Sequence, residues 1–139
     1  MRSAVSRARK FSDTINTCAL RVSYALNGAS SPIRKLGNLT VYTGGDGKFY
    51  IAGVPAMKQY LTRIYGAPKE IYSYGKYAKD LSTMNSQGIV LFDWQGPIAE
   101  FGATGHVDLA EISRGIPTCE GTCYFISGPM KAYFWSTTP

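Results

Sequence analysis

"GIVLFDWQGPIAEFGATGHVDLAEI", residues 88–112, holds two strand-like runs separated by the turn residues Gln95, Gly96 and Pro97. The first, "GIVLFDW", is a short continuous apolar run, and the second ends in the alternation "GHVDL", which is how strands read in sequence. Two further runs follow, "CYFIS" at 123–127 and "KAYFWST" at 131–137. The breaks between these four runs are short and carry turn residues rather than crossover helices, so they predict consecutive antiparallel strands. Within the second run, alternation puts His106 and Asp108 on one side and Val107, Leu109 and Ile112 on the other.

Upstream of the sheet the periodicity changes. Ile15, Ala19, Val22 and Leu26 recur at the three-and-four spacing of one buried helical face, which predicts a helix over Ser12–Leu26. Asn16 or Thr17 can cap its start, and Gly28 is a suitable stop. "LTVYT" and "KFYIAG" flank the glycine-rich "GGDG", a hairpin signal. Pro55 opens a second helix, "PAMKQYLTRIYG", with Met57, Tyr60, Leu61 and Ile64 on one side and Gly66 at its end. Residues 67–87, rich in Tyr, Lys and Gly, read as helical turns and loop, with Tyr72, Tyr74 and Tyr77 as possible groove residues. Helices followed by a sheet make an α+β arrangement.

A chain of 139 residues with 45% hydrophobic content fits one domain with its own core, here 1–139. Its 15 Lys and Arg against 9 Asp and Glu give a net charge of +6, which favours an anionic partner such as nucleic acid, a membrane surface or an acidic polymer. No stretch approaches the roughly 20 apolar residues of a membrane span, and no run of signal-peptide length follows the basic N-terminus. The expectation is a chain made soluble in the cytoplasm and carried elsewhere by another system.

Three cysteines and one histidine carry the chemistry. Cys119 and Cys123 in "CEGTC" are close enough to bridge if the chain turns between them, which leaves Cys18 over; the other reading is three buried thiols in a reducing cytosol. Zinc is disfavoured, because a structural site needs four N or S ligands and only these two thiols lie near the one histidine. No metal and no cofactor are expected. Nucleophilic catalysis needs less: a thiol, an imidazole to take its proton, and a polar group to orient that imidazole. Cys18 sits at a helix start, where the partial positive charge favours a thiolate and free N–H groups can hold an oxyanion. It also lies beside the apolar stripe, so a core thiol is the competing reading. His106 is the imidazole, and Asp108 and Glu120 are the candidate carboxylates.

"NTCALRVSYALN" at 16–27, "YTGGDGKFYIAG", "GIVLFDW" and "GHVDL", followed by the CxxxC pair and "CYF", occur here in order. Together they resemble the type VI secretion amidase effectors of family four, the papain-like, NlpC-type cysteine amidases, from Phe11 to Trp135. The resemblance implies a small peptidoglycan amidase, injected into the periplasm of a competing bacterium, that cuts the amide between γ-D-glutamate and meso-diaminopimelate in cell-wall stem peptides. It makes Cys18 the nucleophile and His106 the general base. The family's third residue is an aspartate several positions after the histidine, near the paired cysteines. Here the acids in that interval are Asp108, Glu111 and Glu120, so the orienting role stays open, with Asp108 ranked ahead of Glu120. A Cys119–Cys123 bridge fits an oxidising periplasm, and a basic surface fits an anionic wall. The partners implied are peptidoglycan, a cognate periplasmic immunity protein and the secretion apparatus, with no nucleic acid. Arg21 and the tyrosines of 72–77 are candidates for binding substrate carboxylates. The rival is a non-enzymatic basic module for cell wall or nucleic acid, with Tyr72–Lys79 as its aromatic and basic footprint.

Overall fold

The computed structural model describes residues 18–72, 84–93, 105–120 and 131–137. The chain divides into two compact units, Met1–Leu61 and Thr62–Pro139. The architecture is α+β, with two helices and two antiparallel sheets among the described residues. No described helix is long and apolar enough to cross a membrane.

The first unit is built around helix α1, described from Cys18 to Gly28 (Cys18–Gly28), with Ala19, Leu20, Val22 and Leu26 among its buried residues. Ile15 and the candidate caps Asn16 and Thr17 lie outside the described residues. Two polar side chains on the buried side fix the helix to its surroundings. Ser23 Oγ donates to the Ala19 carbonyl at 2.8 Å and accepts from the Ile51 N–H at 2.9 Å. One turn later, Asn27 Nδ2 donates to the Phe49 carbonyl at 2.8 Å, and its Oδ1 accepts from the Ile33 N–H at 2.7 Å. Each buried polar atom named here has a partner, which is the condition for burying it at all. The hairpin read from the sequence is present as strands β1 (Tyr42–Thr43) and β2 (Phe49–Tyr50), paired antiparallel. At its turn the Tyr50 hydroxyl donates to Asp46 Oδ2. That bond and the Lys48 N–H lower the Asp46 carboxyl below its usual value. Burial, followed by the Asp46 contact, pushes Tyr50 up to about 12.

Helix α2 (Val54–Tyr65) carries the chain out of the first unit, with Met57, Tyr60 and Leu61 buried. Its end is set by Gly66, whose φ of 86° is backbone that residues with a Cβ rarely adopt. The Gly66 carbonyl then accepts from Trp135 Nε1 at 3.1 Å, fastening the helix end to the last strand of the sheet.

That sheet has five strands, β3 (Lys69–Tyr72), β4 (Ser86–Asp93), β5 (Gly105–Ser113), β6 (Ile116–Cys119) and β7 (Lys131–Ser136), in the order β3-β7-β4-β5-β6. Every pairing is antiparallel. The order departs from the consecutive arrangement expected: β7, the last strand in sequence, lies between β3 and β4. The segment "KEIY", expected as loop, is the edge strand β3, since "KAYFWS" supplies a partner for its backbone. "SRGIPTC" makes a hairpin that the sequence reading missed. Arg114 and Gly115 both take positive φ, 51° and 76°, as a two-residue turn of the I′ kind requires. Pro117 is tolerated because β6 is at the edge. "CYFIS", residues 98–104 of the long second run, Tyr74 and Tyr77 lie outside the described residues; Tyr72 ends β3.

The central strands are buried on both faces, which explains why "GIVLF" is apolar without alternation. Ile71, Val90, Phe92, Ala110, Ile112 and Phe134 belong to one core cluster on one face, with Cys119 packed against it. Ile112 thus shares the face of His106 and Asp108, not that of Val107 as expected, because alternation runs unbroken along β5. Gly88 lets β7 approach β4: a Cβ at this position would stand 2.0 Å from the Trp135 carbonyl oxygen and 2.8 Å from the Phe134 ring. Gly88→Ala is therefore expected to cost on the order of 3 kcal/mol, since a backbone oxygen cannot rotate away. The midpoint of urea unfolding measures it, and an unchanged midpoint contradicts the packing described.

Candidate active site

Cys18 belongs to the first unit. Cys18 is 5% exposed on α1, with Ala19 and Val22 buried on the same helix. Cys119 is in a disulfide, so it is Cys18 that retains a thiol among the described residues. Cys123, the expected partner of Cys119, lies outside them.

His106 and Asp108 belong to the second unit. His106 and Asp108 are two apart on β5 and so share a face. His106 Nε2 stands 3.2 Å from Asp108 Oδ2. The other carboxylate oxygen, Oδ1, accepts from the Leu109 N–H at 2.9 Å, so both oxygens of this 8%-exposed group have a partner. The imidazole is held on a second side as well. Phe92 lies directly opposite His106 in the β4–β5 register, and the two rings stack with centroids 6.2 Å apart at 18°. Phe92 is fully buried, so its ring is a fixed wall beside the histidine. Sequence reasoning did not find Phe92. The residue stands in the run "GIVLFDW", but which residue faces His106 depends on register, and register needs both strands placed.

Glu120 is not brought to this pair. Its N–H donates to the Leu109 carbonyl at 3.0 Å, continuing the ladder in which Ala110 faces Cys119. It therefore stands opposite Leu109, on the strand face that alternates with that of His106 and Asp108. Glu111 occupies the same alternate face. Among the described residues no group of three or more His, Cys, Asp or Glu side chains could hold a metal ion.

A half-buried histidine paired with a carboxylate, and a buried thiol at the head of an amphipathic helix, occur in many proteins. The comparison that decides between families is a match over residues 14–135 to the family described as type VI secretion system amidase effector protein 4, Tae4. The chain belongs to the Tae4 family. The match spans both compact units. Solved Tae4 structures agree. The effector Tae4 from Salmonella typhimurium, in complex with the immunity Tai4 from Enterobacter cloacae, is 26% identical with a TM-score of 0.75, over 97% of this chain and 83% of that one. The type VI effector Tae4 from Enterobacter cloacae is 28% identical with a TM-score of 0.73, over 97% and 80%. A chain of the Tae4–Tai4 effector–immunity complex from Enterobacter cloacae is 26% identical with a TM-score of 0.71, over 97% and 82%. No curated protein sequence matches. As a Tae4 member the chain is an amidase effector of type VI secretion with an α+β fold of the papain-like, NlpC type.

Proposed function

We propose that this Tae4 member is a cysteine amidase that hydrolyses the γ-D-glutamyl–meso-diaminopimelate amide of peptidoglycan stem peptides. The observation that carries the reading is the His106–Asp108 pair. An ionised carboxylate can only accept, so the hydrogen bond from His106 Nε2 holds the proton on that nitrogen and leaves the lone pair on Nδ1. Nδ1 is then the atom that draws the proton from the Cys18 thiol. The thiolate attacks the scissile carbonyl, and N–H groups of the first helical turn hold the oxyanion. As the tetrahedral intermediate collapses, the imidazolium returns its proton to the leaving amine, giving a thioester. Water, deprotonated by the same Nδ1, then releases the acid and restores the thiol. Asp108 stabilises the imidazolium that forms in each half-reaction, and Phe92 limits how the ring can turn.

The site of action proposed is the periplasm of a target bacterium, reached through the type VI apparatus. A basic chain suits an anionic wall, and the disulfide at Cys119 suits an oxidising compartment. The partner proposed for the producer is a periplasmic immunity protein, as the Tae4–Tai4 complexes of the relatives suggest. The direct test is to incubate the protein with purified stem peptides and weigh the products. Hydrolysis at the γ-glutamyl amide gives two fragments whose masses sum to the substrate plus one water, with a new free amine on diaminopimelate. Cleavage at any other bond, or none, refutes the assignment.

A further inference from the structure

Helix α1 is buried over most of its surface, but Arg21 and Tyr24 are exposed. Cys18, Arg21 and Tyr24 follow one another at intervals of three, the spacing that lines up side chains on successive turns. The thiol, itself buried, therefore stands one turn before Arg21, on the side of the helix where Arg21 and Tyr24 are exposed. Direction matters as much as spacing. Side chains on an α-helix lean toward its N-terminus, so a long side chain covers the turn before its own Cα. For Arg21 that is the turn that carries Cys18. Cβ atoms three apart on a helix are about 5–6 Å apart, and a guanidinium on its flexible stem reaches further back than that. No ion pair joins Arg21 to a carboxylate among the described residues, and its planar fork of donors matches a carboxylate.

We infer that Arg21 anchors the substrate by the α-carboxylate of the γ-glutamyl residue whose side-chain carbonyl Cys18 attacks. This rests on the amidase reading above and extends it to substrate choice. In a γ-linked glutamyl residue the scissile carbonyl and the free α-carboxylate are separated by the Cγ, Cβ and Cα carbons, a span comparable to one turn of helix. An anion therefore lies within reach of a cation one turn from the nucleophile, and an α-linked peptide bond carries no anion at that place. A planar guanidinium can grip both carboxylate oxygens, which a carboxamide in the same position cannot match.

The test uses two stem peptides that differ in one group, a free α-carboxylate or an α-carboxamide on the γ-glutamyl residue. The wild-type protein is expected to favour the carboxylate by roughly 10–100-fold in kcat/KM, the range of one charge-assisted contact. Arg21→Gln is expected to bring that ratio close to one, mainly through KM, and Arg21→Lys to restore part of it. Calorimetric binding of both peptides to Cys18→Ala, with and without Arg21→Gln, reads the same preference without turnover. Cleavage of both peptides with a ratio that Arg21→Gln does not change overturns the inference and leaves the amidase reading standing. Arg21-dependent binding of the carboxylate without any cleavage upholds the inference and removes the amidase reading. A protein with neither cleavage nor that preference refutes both.

Discussion

Cys18→Ala is expected to lower stem-peptide hydrolysis by at least about 10⁴-fold, to the level of the uncatalysed reaction or close to it, with KM-like binding retained. The reason is that every covalent step proposed passes through this sulfur. Removing the nucleophile of a triad costs about as much as removing the whole triad, because the remaining members have nothing to activate. The change should be nearly silent in the fold. Alanine is smaller than cysteine by one sulfur, it suits a helix better than cysteine does, and α1 keeps the Ser23 and Asn27 bonds that hold it to its neighbours. Melting temperature and far-ultraviolet circular dichroism check that side. A second measurement separates an activated thiol from an inert one. With Cys119 in a disulfide, alkylation of the native protein by iodoacetamide near neutral pH reads Cys18, and a substrate peptide should slow it. A fully active Cys18→Ala protein, or a thiol that reacts only after unfolding, would leave Cys18 as core packing and return the chain to the non-catalytic basic module.

Most of the parts on which this prediction rests are local in sequence, and those are the parts that could be read from it. The apolar spacing of Ala19, Val22 and Leu26 is set by helical geometry, and they are buried as expected. The alternation that joins His106 to Asp108 is set by the pleat and needs no partner strand. What failed was non-local. "KEIY" has no strong strand signal, and it becomes β3 because residues 131–134, about sixty positions later, pair with it. The same long-range pairing inserts β7 beside β4, which no spacing within either strand reports. A proline at 117 is a poor strand signal, yet an edge strand leaves one side of its backbone unpaired and so accepts it. One difference is local: Ile112 is expected beside Val107, but unbroken alternation along β5 puts it with His106. Phe92 illustrates the limit best, since its strand was evident and its role beside the imidazole depended on a register that one strand alone cannot specify.

Asp108 stands beside His106 and Glu120 does not, so the two candidates for the orienting role carry different expected effects. Asp108→Asn is expected to lower kcat by about 10²–10⁴-fold with little change in KM, whereas Glu120→Gln should stay within about twofold of wild type. Asparagine keeps the shape, and its carbonyl can still accept the Leu109 N–H. Turned that way, however, its amide N–H₂ faces His106 Nε2, where a carboxylate had accepted. The imidazole then gains by placing its proton on Nδ1, the nitrogen that must be bare to receive the thiol's proton. The variant also removes the charge that favours the imidazolium, so tautomer and transition state are lost together. Glu120 stands opposite Leu109 on the other face, and removing its charge touches neither. Because the chain holds one histidine, nitrogen NMR of its imidazole reports the tautomer without ambiguity: Nε2–H in the wild type and in Glu120→Gln, and a shift toward Nδ1–H in Asp108→Asn. A kcat unchanged in Asp108→Asn, or a loss in Glu120→Gln as large as the one expected for Asp108, would take the orienting role away from Asp108. A lost kcat with the tautomer unmoved would assign Asp108 the electrostatic half of the role alone, and the size of the remaining rate would then measure how much of the effect is charge and how much is the placement of one proton.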